Sequence, residues 1–155
     1  MFENIRADLR AHSGDWAAQG FWVMLVYRFG RWRYGVRPAL LRKLLSLVYK
    51  VLYKLVQILT GIELPCEVVI GRNFVIDHFG GIVISGYAQF GDDCRIRNGV
   101  VVGLKNVHEP LAPVISNNVD IGANAVVLID VPDNSLAVGV PAMIKQRSSS
   151  ETKEC

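Results

Sequence analysis

Apolar residues follow two different rhythms along this chain. From Pro38 to Gly61 they recur in steps of three and four, at Leu40, Leu41, Leu44, Leu45, Val48, Val51, Leu52, Leu55, Val56 and Leu59. That spacing lines one face of an α-helix, with Arg42, Lys43, Ser46, Lys50, Lys54 and Gln57 on the other. Pro38 suits the first turn of such a helix and Gly61 its C-terminal stop. Two more helices are expected upstream, a short one over about Glu3–His12 and a longer one from Ala17 to about Arg33. Trp32 and Tyr34 are expected to pack, with the arginines around them in solvent.

From Leu64 the period becomes six. Large apolar residues stand at Leu64, Ile70 and Ile76, then after a two-residue offset at Ile84, Phe90 and Ile96, and again at Ile115, Ile121 and Val127. Four positions after them come mostly small residues, such as Ala88, Cys94 and Ala125, with Phe74 an exception. Three positions after them come Asn73, Asp93, Gly99, Asn118 and Asn124, residue types that tolerate positive φ. A turn once per hexad, with the aliphatics inward, predicts a short parallel β-helix. The chain then divides into a helical region at 1–60, a β-helix at 61–142 and a polar tail at 143–155.

Composition sharpens this division. The net charge of +3 hides 10 Lys/Arg against 3 Asp/Glu in residues 1–60, and 7 against 11 in the rest. The basic helical part suits neighbouring chains or an anionic surface such as lipid, and peripheral membrane contact through residues 1–60 is left open. No nucleic-acid module is present, and the acidic second half argues against a general phosphate-binding protein. Charged residues interrupt any early apolar run, and no apolar run is long enough for a bilayer span. Three cysteines (Cys66, Cys94 and Cys155) without CxxC spacing fit neither a disulfide framework nor a zinc site. The expectation is a cytoplasmic protein, membrane-associated at most, without a metal.

Three stretches carry a resemblance. They are Gly20-Phe21 with Tyr27-Arg28-Phe29-Gly30-Arg31-Trp32, then Ile76-Asp77-His78-Phe79-Gly80-Gly81-Ile82-Val83-Ile84, then Ile121-Gly122-Ala123-Asn124-Ala125-Val126-Val127 through Pro141-Ala142. In them the sequence resembles the hexapeptide-repeat acyltransferases, most of all the serine acetyltransferases and their relatives in polysaccharide gene clusters. The resemblance implies a left-handed parallel β-helix, an exception to the right-handed crossover rule. It also implies a homotrimer or dimer of trimers, with acetyl-CoA as the donor.

O-acetyl transfer needs a base for the acceptor hydroxyl, and histidine suits it. By the resemblance His78 is that base, while His12 and His108 read as structural or solvated. Counting to the family's Val-Asp-Ile-His-Pro stretch puts Glu63 where the histidine-orienting carboxylate stands. Asp77 is the rival, ranked lower because neighbours on an extended segment point to opposite sides. The family's second, substrate-holding histidine is replaced by Ala112, with His108 four residues early, and its N-terminal carboxylate has two candidates, Asp8 and Asp15. These departures favour a sugar or polysaccharide-precursor hydroxyl over L-serine as acceptor. For CoA, the local candidates are Gly103, Lys105, Ala123, Lys145 and Arg147.

One further departure concerns length. Relatives carry about eighteen more residues before the final Ile-Gly-Ala-Asn-Ala-Val block, which is three hexads or one coil. Such a deletion preserves register but shortens the wall along which CoA lies. The alternative reading is therefore a non-catalytic trimeric scaffold with lost or weakened CoA binding.

Overall fold

The computed structural model describes residues 2–106, 108 and 111–147. Three helices come first: α1 (Phe2–Ala11), α2 (Gln19–Trp32) and α3 (Ala39–Thr60), with one 3₁₀ turn at Arg33–Gly35. The long helix runs from N-cap Pro38 to C-cap Gly61, whose φ of 64° puts it in the left-handed region. There glycine carries no Cβ penalty, so the chain turns sharply into the β-helix.

Twelve short strands follow. β1 (Ile62–Glu63), β4 (Ile82–Ile84), β7 (Val101–Val102) and β10 (Val126–Val127) form one parallel face. β2 (Val69–Ile70), β5 (Gln89–Phe90) and β8 (Val114–Ile115) form a second. β3 (Val75–Asp77), β6 (Arg95–Arg97), β9 (Asp120–Ile121) and β11 (Ser135–Val138) form the third. β12 (Met143–Gln146) pairs antiparallel with β11 and covers that sheet's edge. Residues 143–146, expected as the start of a tail, are thus a strand; residues 148–155 lie outside the described residues.

The hexad pattern has a direct structural counterpart. Ile70, Ile76, Ile84, Phe90, Ile96, Ile115, Ile121 and Val127 all point into one core, and Phe74 meets Phe90 edge to face at 5.0 Å. Val68, Ala88, Cys94, Val100, Val119 and Ala125 fill the corners with almost no exposure. Asn73, Asp93, Gly99, Asn118 and Asn124 all have positive φ, as the sequence predicts. Their side chains also link the coils: Asn73 Nδ2 donates to Asp93 Oδ1 at 2.8 Å, and Asn118 Nδ2 to Asn134 Oδ1 at 2.7 Å. No register break separates the coils, since β9 pairs directly with both β6 and β11.

The helices clamp the first coil. Arg28 of α2 pairs with Asp8 of α1 and also donates to the carbonyls of Ile70 and Gly71. Gly20 lies so close to β3 that a Cβ there would collide with the Ile76 carbonyl oxygen. The expectation for Trp32 and Tyr34 is corrected. Both are about half exposed, while Arg28 is buried and Arg33 lies between the rings of Tyr34 and Tyr49 at 4.4 and 4.6 Å. A guanidinium stacks on aromatic faces and still reaches hydrogen-bond acceptors, so Arg33 is a packed residue, while Arg31 is exposed as expected.

Candidate active site

His78 leaves the end of β3 in the left-handed conformation, with φ of 64°. This conformation is uncommon for a non-glycine residue, and it ends the extended run of β3. Asp77 and His78 both line a cavity of about 270 Å³, together with Arg95 and the α1–α2 connection at His12, Ser13 and Ala18. His78 lies outside β3, so the strand alternation used to rank Asp77 below Glu63 does not extend to it.

The carboxylates near His78 are in different states. Asp77 Oδ2 accepts from Arg95 Nη1 at 2.6 Å, so its charge is already matched across the coil. Glu63, exposed on β1, accepts from the neutral Gln57 amide at 3.1 Å and from no cation among the described residues. Among the described residues no carboxylate is hydrogen-bonded to the His78 ring. The start of β1 does lie beside the histidine turn, because a Cβ on Gly61 would sit 3.2 Å from Gly80 Cα.

The other two histidines and the N-terminal acids have structural positions. His12 is buried, its Nδ1 donating to the Asp8 carbonyl at 2.7 Å and its Nε2 accepting from the Ile76 N–H at 3.3 Å. Both ring nitrogens are occupied, which ties α1 to β3. Asp8 is buried in its pair with Arg28, whereas Asp15 is exposed and caps the Ala17 N–H at 2.8 Å. Only Asp15 is free to meet an acceptor. His108 is exposed, and Val107, Glu109 and Pro110 beside it lie outside the described residues. Cys94 is buried and its thiol is pushed up to about 11, chiefly by desolvation, which makes it a poor nucleophile near neutrality.

The candidate CoA residues separate into three places. Ala123 sits at the corner that carries His78: Gly99 N–H donates to the Gly80 carbonyl at 2.9 Å, and Asn124 N–H to the Asn98 carbonyl at 2.9 Å. Gly103 and Lys105 follow β7 at a different corner, where Lys105 lines another surface cavity with Leu128 and Ile129. Lys145 is exposed on β12. Arg147 lies across the third sheet and pairs with Asp120 at 2.5 Å. There it joins Arg10, Arg95 and Arg97 along a groove of about 760 Å³, with Asp93 and Asp120 the only acids on its lining. This groove shares Ala11 and Arg95 with the His78 cavity. Arg95 is held by Asp77 and Arg147 by Asp120, so Arg10 and Arg97 are the lining guanidiniums without an ion pair among the described residues, and they fit a phosphate at the charged end of CoA. Arg10, Arg95 and Arg97 have no sequence signal in common; only the outward positions of β6 hint at two of them.

No family model matches the chain. The colanic acid biosynthesis acetyltransferase WcaB of Escherichia coli K12 is 32% identical over 161 aligned positions, covering 89% of this chain and 96% of that protein. The alignment exceeds this chain's 155 residues, so it carries insertions on the relative's side. The serine acetyltransferase of Synechococcus elongatus is 33% identical over 178 positions, covering 96% of this chain and 70% of the relative. Among solved structures, serine acetyltransferase from Brucella abortus superposes with a TM-score of 0.74 at 22% identity, over 95% of this chain and 69% of that one. Its complex with coenzyme A gives 0.72 at 21%, over 96% and 68%. The coil is thus the left-handed β-helix of these enzymes. From the near-full-length match to WcaB together with this fold, the chain belongs to the hexapeptide-repeat acyltransferases, on the serine acetyltransferase-like branch, and is an acetyl-CoA-dependent O-acetyltransferase.

Proposed function

We infer that this chain acetylates a hydroxyl of a saccharide or polysaccharide precursor, with His78 as the general base. The observation that carries this reading is the exposed left-handed His78, set beside Asp77 in a cavity that continues into the arginine groove. The saccharide acceptor is supported by the near-full-length likeness to a colanic acid biosynthesis acetyltransferase. L-Serine is the second acceptor, supported by the serine acetyltransferases at 33% identity.

Acetyl-CoA supplies an activated carbonyl whose thiolate is a good leaving group. The work left to the chain is positional and acid–base. A neutral His78 ring takes the acceptor proton as the hydroxyl oxygen bonds to that carbonyl, and the same proton can then pass to the departing sulfur. Glu63 is the positioning carboxylate in this reading, because Asp77 is already held by Arg95 while Glu63 has no cationic partner among the described residues. The arginine groove holds the CoA phosphates, and the stacked backbone of the His78 corner runs beside the pantetheine arm. A homotrimer completes the site between neighbouring coils, and the basic region at 1–60 meets an anionic surface.

The test is thiol release from acetyl-CoA with saccharide acceptors and with L-serine. His78→Ala is expected to lower turnover by about 10²–10⁴-fold with unchanged thermal unfolding. Transfer at the wild-type rate by that variant would reject His78 as base.

A further inference from the structure

Helix α3 is poorly covered. Of its 22 residues only Tyr49 and Thr60 are buried, with Tyr53 and Val56 packed in part against the core. On its open side Leu40, Leu44, Leu47, Val51, Leu55 and Ile58 are 51–74% exposed. Their steps of four, three, four, four and three make one continuous stripe along a helix about 33 Å long. Contiguous exposed apolar surface of this extent marks a contact site.

The charge around the stripe says what meets it. Lys43, Lys50 and Lys54 are exposed, each three residues beyond a stripe residue (Leu40, Leu47 and Val51), so they line one edge. Between Asp15 and Glu63 there are eight arginines and lysines and no carboxylate. Two α3 faces packed against each other would oppose cations, with no carboxylate on either helix to neutralise them. A surface that is apolar below and anionic above satisfies both the leucines and the lysines, and lysine stems can reach up from the apolar layer to the acidic head groups. No helix among the described residues is long and apolar enough to cross a membrane, so the helix would lie on the surface.

We propose that the open face of α3 lies on an anionic lipid bilayer and that this docking presents the His78 turn to an acceptor carried by the membrane. The second half follows from the C-cap of the same helix. Gly61 packs against Gly80, two residues after His78, and Phe79 in that turn is itself exposed. The helix that meets lipid therefore ends at the foot of the histidine turn. The acceptor class that fits is a saccharide anchored in the bilayer by an apolar tail, which rests on the saccharide-acetylating reading above.

The experiment uses the full chain and vesicles of phosphatidylcholine with and without phosphatidylglycerol. Wild type is expected to co-sediment with the anionic vesicles, and Leu47→Glu with Leu55→Glu to lower that binding by about tenfold or more. The double variant is expected to keep its oligomeric state and its turnover with a soluble saccharide. Equal vesicle binding by the double variant, or none by wild type, overturns the proposal. So does a change of oligomeric state in the variant, which would make the face a contact between copies. His78→Ala, read in the same sedimentation, is expected to bind like wild type, so failure of the catalytic reading and failure of docking are separable.

Discussion

Arg28 and Asp8 form a bidentate pair in the interior, with Nε to Oδ2 at 2.8 Å and Nη2 to Oδ1 at 3.1 Å, and side-chain exposures of 7% and 1%. Arg28 also donates to the Ile70 carbonyl at 3.2 Å and the Gly71 carbonyl at 2.7 Å. One side chain thus joins α1, α2 and the first coil. Asp8→Ala would leave a buried guanidinium without its counterion, a loss expected at about 3–5 kcal/mol. Urea unfolding of the single variant reads this directly. Asp8→Leu combined with Arg28→Met is expected to recover part of it, because no charge is then left buried. A single-variant loss below about 1 kcal/mol would mean that water reaches the pair.

Glu63 is expected to act through His78 and not on substrate. Glu63→Gln keeps the shape and removes the charge, so turnover is expected to fall by roughly ten- to a hundredfold while the KM for acetyl-CoA stays level. Glu63→Asp, with the carboxylate kept, is expected to recover most of the rate. A merely structural residue would show the opposite: a shared loss in both variants, tracking the melting temperature. Steady-state kinetics beside thermal unfolding decide between them.

Arg97 is exposed at the end of β6 and is a groove arginine with no carboxylate partner among the described residues. Arg97→Ala is expected to raise the KM for acetyl-CoA by about three- to tenfold and to weaken its dependence on salt, with turnover at saturation retained. A rise in the acceptor's KM instead, with acetyl-CoA unchanged, would assign the groove to the acceptor and overturn its role in CoA binding.

Much of the architecture is legible in the order of residues. The ends of α3 at Pro38 and Gly61 follow from local backbone preference, and the three-sheet coil follows from aliphatics recurring every six residues. Asn73, Asp93, Asn118 and Asn124 could be read as left-handed turn positions because short polar side chains tolerate that region. His78 stands outside that hexad position, so although histidine visits the left-handed region more than most residues do, its φ of 64° is not legible in the sequence.

Interactions between segments distant in sequence decided the rest. Asp8 reads as an available acid until α2 brings Arg28 against it. Arg10, the Arg95 and Arg97 of β6, and Arg147 belong to three unrelated local patterns, and they converge because α1 is tied to β3 while the coil stacks β6 beneath β9 and returns the chain along β11 and β12. Periodicity told which side of α3 is apolar, but a period carries no record of what packs there. Only the folded chain, which buries Tyr49 and Thr60 and leaves the leucines in the open, separates the face that holds the protein together from the face offered to a partner.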